Sequence, residues 1–97
     1  MWVIKNRVTG EYDSKGISEV RNKVVRAAWG TIGHAKSHIT NCHCHYNRFD
    51  KWYMDADFIE ITENGVGRVE PVIDYLRGYY INRRCSEEIL KTLWPNG

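Results

Sequence analysis

The chain has 97 residues, with 14 basic and 12 acidic side chains and a formal net charge of +2. This length predicts a single domain over residues 1–97, and the nearly balanced charge argues against a general nucleic-acid binder and against an acidic mimic of DNA. Because no apolar run reaches the roughly 18 residues of a membrane span, the start shows no signal-peptide pattern, and an odd number of cysteines cannot all pair within one chain, we expect a cytoplasmic protein with no membrane partner.

The first part of the chain predicts β-structure. Trp2 to Asn6 alternates and is β-branched, and Arg7 to Gly10 supplies a turn in which glycine tolerates positive φ. We therefore expect a hairpin whose return strand begins at Glu11 and Tyr12 and is broken by Asp13 to Gly16. The paired valines between Lys23 and Trp29 favour a third strand, although this segment is also compatible with a helix.

The stretch from Thr31 to Asn47, TIGHAKSHITNCHCHYN, holds all four histidines and two of the three cysteines. We predict a helix that Thr31 caps and that frays by Asn47, with Lys36 and His43 on its outward side. At about 3.6 residues per turn, its apolar stripe comprises Ile32, Ala35, Ile39 and Tyr46. One border of that stripe comprises His34, His38, Cys42 and His45. A core helix and a metal-binding helix share this pattern.

A metal site in this helix would be incomplete. His34 and His38 are four residues apart, the spacing that lets two imidazoles meet one ion. A helix rises about 1.5 Å per residue, which puts His34 and Cys42 about 12 Å apart along the axis, too far to share one zinc ion. A site would need ligands from elsewhere, such as Cys85. We therefore predict no metal and no cofactor, with zinc at His34, His38, Cys42 and Cys85 as the alternative.

The segment from Ala56 to Glu63 has the strongest strand pattern in the chain. It is rich in strand formers and is followed by the turn signal Asn64-Gly65. Because side chains alternate between the two faces of a strand, Ile59 and Ile61 share one face, and we expect that face to point to the core.

Two helices are predicted after this strand. Val69 to Arg84 predicts the longer one, with Pro71 tolerated in its first turn. Ser86 is the predicted N-cap of a last, short helix, which we expect to dock through Ile89, Leu90, Leu93 and Trp94.

The predicted order of elements is β-β-(β)-α-β-α-α. It indicates an α+β fold, in which a small antiparallel sheet carries the central helix and the two C-terminal helices. The sheet would consist of the N-terminal β-hairpin plus one or two further strands.

No motif in the sequence indicates a particular catalytic reaction. The cysteines lack a family signature, and adjacent residues on a helix do not face one another as a nucleophile and its base must. Asp50, Asp55 and Asp57 cluster before the predicted strand, where carboxylates more often serve solubility. Gly65-Val66-Gly67 lacks the remaining residues of either phosphate-binding fingerprint. We therefore predict no catalytic residues and no enzyme activity.

Aromatic and basic residues instead suggest a binding surface. Four tryptophans and six tyrosines are more aromatic surface than one small core readily hides. Tyrosine, tryptophan and arginine are common anchors of protein interfaces, and the same types bind single-stranded nucleic acid. We predict partner-binding residues in the loop after the central helix, where Phe49 adds to the aromatic content, and at the end of the long helix. They are Arg48, Lys51, Trp52, Tyr53, Tyr80, Arg83 and Arg84.

Three segments between Trp2 and Gly65 have a distinctive form: WVIKNRVTGEY, AAWGTIGHAKSHI and ADFIEITENG. In these segments the chain resembles small accessory proteins encoded by bacteriophages. The resemblance implies a compact sheet with a crossing helix and a protein that acts on host machinery. From it we expect a host-defence inhibitor of the anti-CRISPR type that occupies the surface of a host protein or ribonucleoprotein complex in the host cytosol. The alternative is a small nucleic-acid-binding or zinc-stabilised regulatory protein.

Overall fold

The computed structural model describes residues 1–18, 23–26, 28–44 and 49–96. The elements in chain order are β1 (Trp2–Asn6), β2 (Ser14–Ser18), β3 (Lys23–Arg26), α1 (Ile32–Cys42), a 3₁₀ helix (Lys51–Asp55), β4 (Ala56–Thr62), β5 (Gly65–Pro71), α2 (Val72–Ile81) and α3 (Glu87–Leu93). This architecture confirms the predicted α+β class. Among the described residues, none of the helices has the length and apolar character needed to cross a membrane.

The main sheet is antiparallel and has the strand order β1-β4-β5, whereas β2 and β3 form a separate two-stranded sheet. The pairing of β1 with β4 runs from Trp2 opposite Glu60 to Asn6 opposite Ala56. The predicted hairpin is therefore confined to the turn after β1 and adds no second strand to the main sheet. Its return segment makes a single bridge, between Lys5 and Tyr12.

The prediction that residues 13–16 break the β-structure is wrong. β2 begins at Ser14 and pairs with β3, which confirms the predicted third strand. The physical reason is that residues 14–18 leave the neighbourhood of β1 and take a different partner, so the turn-like composition marks a change of sheet and not the end of a strand.

The turn after β1 is organised by a buried side chain. The Oδ1 atom of Asn6 accepts hydrogen bonds from the N–H groups of Val8 (2.8 Å) and Thr9 (3.0 Å). Its Nδ2 atom donates to the carbonyl of Trp52 at 2.8 Å, and Gly10 has a φ of 74°. Asn6 therefore fixes the turn and attaches it to the 3₁₀ helix.

β5 is an element that the sequence prediction missed. Gly65–Pro71 is a strand that pairs with β4, from Thr62 opposite Gly65 to Asp57 opposite Pro71, although Val69 was predicted to begin a helix. Gly65 has a φ of 106°, which suits the tight turn between the strands. Pro71 is tolerated at the end of an edge strand, where no hydrogen-bonded ladder needs its missing N–H, and α2 follows it directly.

The two faces of β4 are the reverse of those predicted. Ala56 and Phe58 are fully buried, whereas Ile61 is 41% exposed and Ile59 is half-buried. Phe58 belongs to the core cluster, together with Ile4 of β1. The Phe58 ring packs 6.0 Å from the Tyr75 ring. Because side chains alternate along a strand, the isoleucines lie on the opposite, outer side from Phe58 and this core cluster.

α1 is capped as predicted. The Thr31 hydroxyl accepts a hydrogen bond from the His34 N–H at 3.2 Å, and Ala35 and Ile39 are fully buried. The helix ends at Cys42, with His43 as its C-cap, which is earlier than the predicted end. The predicted positions of His45, Tyr46 and Asn47 lie outside the described residues.

The C-terminal helices pack largely as predicted. α2 buries Val72, Leu76 and Tyr80, and the Ser86 hydroxyl accepts a hydrogen bond from the Ile89 N–H at 3.4 Å as the N-cap of α3. The exception is Leu90, which was predicted to dock and is 43% exposed. At about 3.6 residues per turn, Leu90 lies at the exposed border of the face that Ile89 and Leu93 bury.

The reversed faces of β4 predict unequal effects of two alanine substitutions. We expect Phe58→Ala to lower the free energy of unfolding by about 3 to 5 kcal/mol, because it opens a cavity in the core. Ile61→Ala should cost about 1 kcal/mol or less, since the side chain is partly exposed. Urea denaturation of both variants measures the difference, and equal costs would contradict the assigned faces.

Candidate partner-binding surface

The structure divides the predicted contact residues into exposed and buried ones. Lys51, Arg83 and Arg84 are exposed and Trp52 is half-buried. Tyr53 and Tyr80 are each only 2% exposed, so their side chains offer almost no surface to a partner in this structure. Arg48 lies outside the described residues. Binding by the exposed members stays a prediction.

The two predicted regions do meet in the fold. Phe49, which precedes the 3₁₀ helix, has its ring 6.0 Å from the Tyr80 ring of α2. At the end of α2, the Arg83 guanidinium lies 4.0 Å from the centre of the Tyr79 ring, and Arg83 also donates to the Tyr79 carbonyl. The contact of Phe49 with Tyr80 therefore joins α2 to the segment before the 3₁₀ helix.

Asp13 links three segments through a largely buried polar cluster. Its Oδ2 atom accepts a hydrogen bond from the Tyr53 hydroxyl at 2.7 Å and lies 3.2 Å from Nε2 of His38. This second contact is not an aligned hydrogen bond, so it acts as an ion pair when the imidazole is protonated. The cluster joins the segment before β2 to α1 and to the 3₁₀ helix.

A row of rings in tilted and edge-on contact extends this cluster. The His38 ring lies 5.0 Å from that of Trp29 and 5.1 Å from that of His43, and His43 lies 5.0 Å from Tyr53. His43 was predicted to point outward from the helix. It contacts Tyr53 because α1 ends at Cys42 and His43 leaves the helical path. Sequence spacing alone carries no signal for this contact, since Tyr53 belongs to another element.

The described members of the alternative zinc set, His34, His38 and Cys85, do not form a metal site. Among the described residues, no three histidine, cysteine, aspartate or glutamate side chains are placed to hold a metal ion. His38 lies against Asp13 and aromatic rings, His34 is exposed, and Cys85 lies between α2 and α3. The side chain of Cys42 is outside the described part.

Cys44 has the properties of a core thiol. It is 8% exposed and forms an isolated β-bridge with Phe49. Burial raises the pKa of the Cys44 thiol, and a hydrogen bond with Tyr80 opposes this shift only in part. Reactive cysteines have a lowered pKa, so the environment of Cys44 disfavours the thiolate.

The outer face of the sheet carries an apolar row that crosses all three strands. Val3 lies opposite Ile59 and Ile59 lies opposite Val69, and directly opposed residues of antiparallel strands point to the same face. Ile61 and Val66 form a neighbouring pair. We call these five residues the outer apolar row.

Exposure increases along the outer apolar row toward β5. Val3 is 5% exposed, whereas Val69 is 51% and Val66 is 64% exposed. The alternation of isoleucines in β4 was the signal for this surface, and the sequence analysis assigned it to the core instead. Helices cover the opposite face, so the exposed end of the row is an apolar surface on a rigid scaffold.

A second apolar feature lies between α2 and α3. It is a cleft of about 600 Å³ lined by Ile81, Glu87, Leu90, Lys91, Trp94 and Pro95. Its apolar lining includes Ile81, which is 66% exposed, and Leu90. Ile81 in this cleft is thus an exposed apolar residue on a helix, and it can be compared with the exposed residues of the outer apolar row on the sheet.

No protein-family model, curated protein or solved structure matches this chain. The likeness to phage accessory proteins therefore stays a prediction. The function has to be inferred from the outer apolar row and from the exposed basic residues.

The Asp13 cluster predicts energetic coupling between two distant residues. Tyr53→Phe removes the hydroxyl donor from a largely buried carboxylate, and we expect it to cost about 1 to 3 kcal/mol of unfolding free energy. Asp13→Asn should destabilise as well. A double-mutant cycle measured by denaturation should show a coupling of about 1 kcal/mol or more, and additive effects would contradict the cluster.

The raised pKa of Cys44 predicts a loss of stability at alkaline pH. The unfolded chain releases this proton at a lower pH than the folded chain, so the contribution of Cys44 is complete below the unfolded pKa and disappears as pH rises through the folded pKa. The pKa of Tyr75 is also raised by burial and acts in the same direction. Denaturation of the wild type and of Cys44→Ala across this range isolates the thiol, because only the wild type should show its part of the slope.

Proposed function

We propose that this protein is a non-enzymatic binding protein that acts by occupying the surface of a larger macromolecule. The observation that carries the proposal is the exposed end of the outer apolar row, at Ile61, Val66 and Val69. Exposed apolar surface that is contiguous and bordered by polar residues is typical of interaction sites. A paired sheet holds these side chains in place, so little conformational freedom is lost on binding.

The charges on the outer face favour a protein as the partner. Lys5 lies opposite Asp57, and Asp57 accepts a hydrogen bond from the Arg7 guanidinium at 2.6 Å. These groups partly neutralise one another. Nucleic-acid binding relies on cations that neutralise phosphates, whereas valine and isoleucine gain most from contact with another apolar surface.

The resemblance over Trp2 to Gly65 supports a finer proposal. The partner would be a host protein or ribonucleoprotein complex in the cytosol of a bacterium, and the most favoured target is a defence effector of the CRISPR type. Binding alone would then be the mechanism, because a protein that covers a working surface of an effector inhibits it without chemistry.

A nucleic-acid-binding protein is the second candidate. The observation in its favour is the exposure of Arg83 and Arg84 just after α2 and of Lys51 in the 3₁₀ helix, which contacts α2. Salt dependence separates the two candidates. Affinity for a nucleic acid should fall with salt by a slope of about −0.9 per neutralised duplex phosphate or about −0.7 on single strands, and contact through the outer apolar row should respond weakly.

Substitution on the outer face tests the proposal. A partner is first recovered from a bacterial extract on the immobilised protein, and its affinity for variants is then measured by calorimetry. We expect Val66→Lys to weaken binding by about 2 kcal/mol or more, roughly thirtyfold, because it places a charge in the apolar contact.

Ile81→Lys is the matched control. Ile81 is 66% exposed and Val66 is 64% exposed, so the same substitution is made at equal exposure on a different surface. The control should keep wild-type affinity. If Val66→Lys binds normally while Arg84→Ala or Ile81→Lys does not, the outer apolar row is not the contact surface.

A further inference from the structure

β5 forms an open edge of the main sheet. In the described part of the chain, β4 is its one strand neighbour, and every residue of β5 except Glu70 is exposed. An edge strand presents unpaired backbone N–H and C=O groups, which are a template for pairing with another strand. This edge therefore has hydrogen-bonding capacity that the described residues leave to solvent.

Backbone alternation identifies which groups point outward. The Ile61 N–H donates to the Met1 carbonyl at 2.7 Å, and the Met1 amino group donates back to the Ile61 carbonyl at 3.4 Å, so the backbone of Ile61 is directed toward β1. Alternate residues of a strand are directed to alternate neighbours, which directs Phe58 toward β5. Phe58 lies opposite Glu70. Consequently the N–H and C=O groups of Val69, the preceding residue, point to the open edge.

The charges on β5 favour its own copy as the occupant. Arg68 and Glu70 flank Val69, and their side chains meet at 2.8 Å within one chain. If Val69 lies opposite Val69 of a second antiparallel copy, Arg68 of each chain lies opposite Glu70 of the other. If the two-fold axis instead passed through Arg68 or through Glu70, two arginines or two glutamates would lie directly opposite each other. Like charges in that position are unfavourable.

We propose that two copies of this chain associate antiparallel through β5, with Val69 on the two-fold axis and Arg68 facing Glu70 of the second copy on both sides. The three strands of each copy then form one continuous sheet. The paired segment is short because Pro71 has no N–H to donate and Gly65 begins the turn. Association should therefore be reversible and dependent on concentration.

Charge reversal tests the register directly. Sedimentation equilibrium of the wild type from micromolar to millimolar concentration should show a mass that rises from 11.4 kDa toward twice that value. In a symmetric dimer, R68E places glutamate opposite glutamate at both cross-chain positions, and E70R places arginine opposite arginine at both. Each variant alone should stay at the monomer mass over the same range.

An equimolar mixture of R68E and E70R should recover the dimer, because both cross-chain pairs are again of opposite charge. Each variant keeps its like-charged neighbours within its own chain, so recovery in the mixture cannot come from a repaired monomer. The double variant R68E/E70R restores an opposite-charge pair within the chain. It should dimerise alone but should not form mixed dimers with the wild type.

Three results would overturn the proposal. They are a wild type that stays monomeric at millimolar concentration, a single variant that dimerises like the wild type, and a mixture that stays monomeric although circular dichroism shows both variants folded. If a single variant does not fold, the double variant still tests the register. Mixed dimers of the double variant with the wild type would contradict it. The measured quantity is mass and not affinity for a bacterial partner, so failure here is distinct from failure of the proposed function.

Discussion

The pairing of β1 with β4 is the constraint on which the rest of the structure depends. It joins the start of the chain to residues in its second half. The entropic cost of closing this loop is only slightly larger than for a shorter one, because that cost rises slowly with loop length. Ile4 and Phe58 face each other across this pair and are fully buried, each contributing about 1.5 to 3 kcal/mol of burial free energy. Once β4 has β1 on one side, β5 pairs on its other side and becomes an edge.

The connection between β1 and β4 is held by polar contacts as well as by the apolar core. Asn6 fixes the first turn and reaches the 3₁₀ helix, and Asp13 draws Tyr53 and His38 together. Buried polar groups of this kind are costly unless they are satisfied, so they tolerate few alternative arrangements. They also explain why Tyr53 lies inside, since its hydroxyl has a partner there.

Local signals predicted the local structure well. Thr31 and Ser86 cap their helices because each offers a hydroxyl oxygen to an open first turn, and this depends on neighbouring residues alone. The faces of β4 could not be read in the same way. Alternation shows that Phe58 and Ile59 point to opposite sides, but which side the helices cover is a tertiary choice. β5 was missed for a related reason, because its strand conformation depends on the free side of β4 and not on its own glycine-rich composition.

The edge at β5 combines features that limit pairing with features that direct it. Arg68, Pro71 and the register shift in β4–β5 between Ile59 and Ile61 are devices that natural sheets use against uncontrolled edge association. The charges of Arg68 and Glu70 favour one antiparallel register. A two-fold contact pairs the β5 edge of each copy with that of the other, so neither β5 edge stays open. Association of this type closes at two copies and does not propagate into filaments. It would also place Val69 of each copy side by side, so that the exposed ends of the two outer apolar rows become one continuous surface.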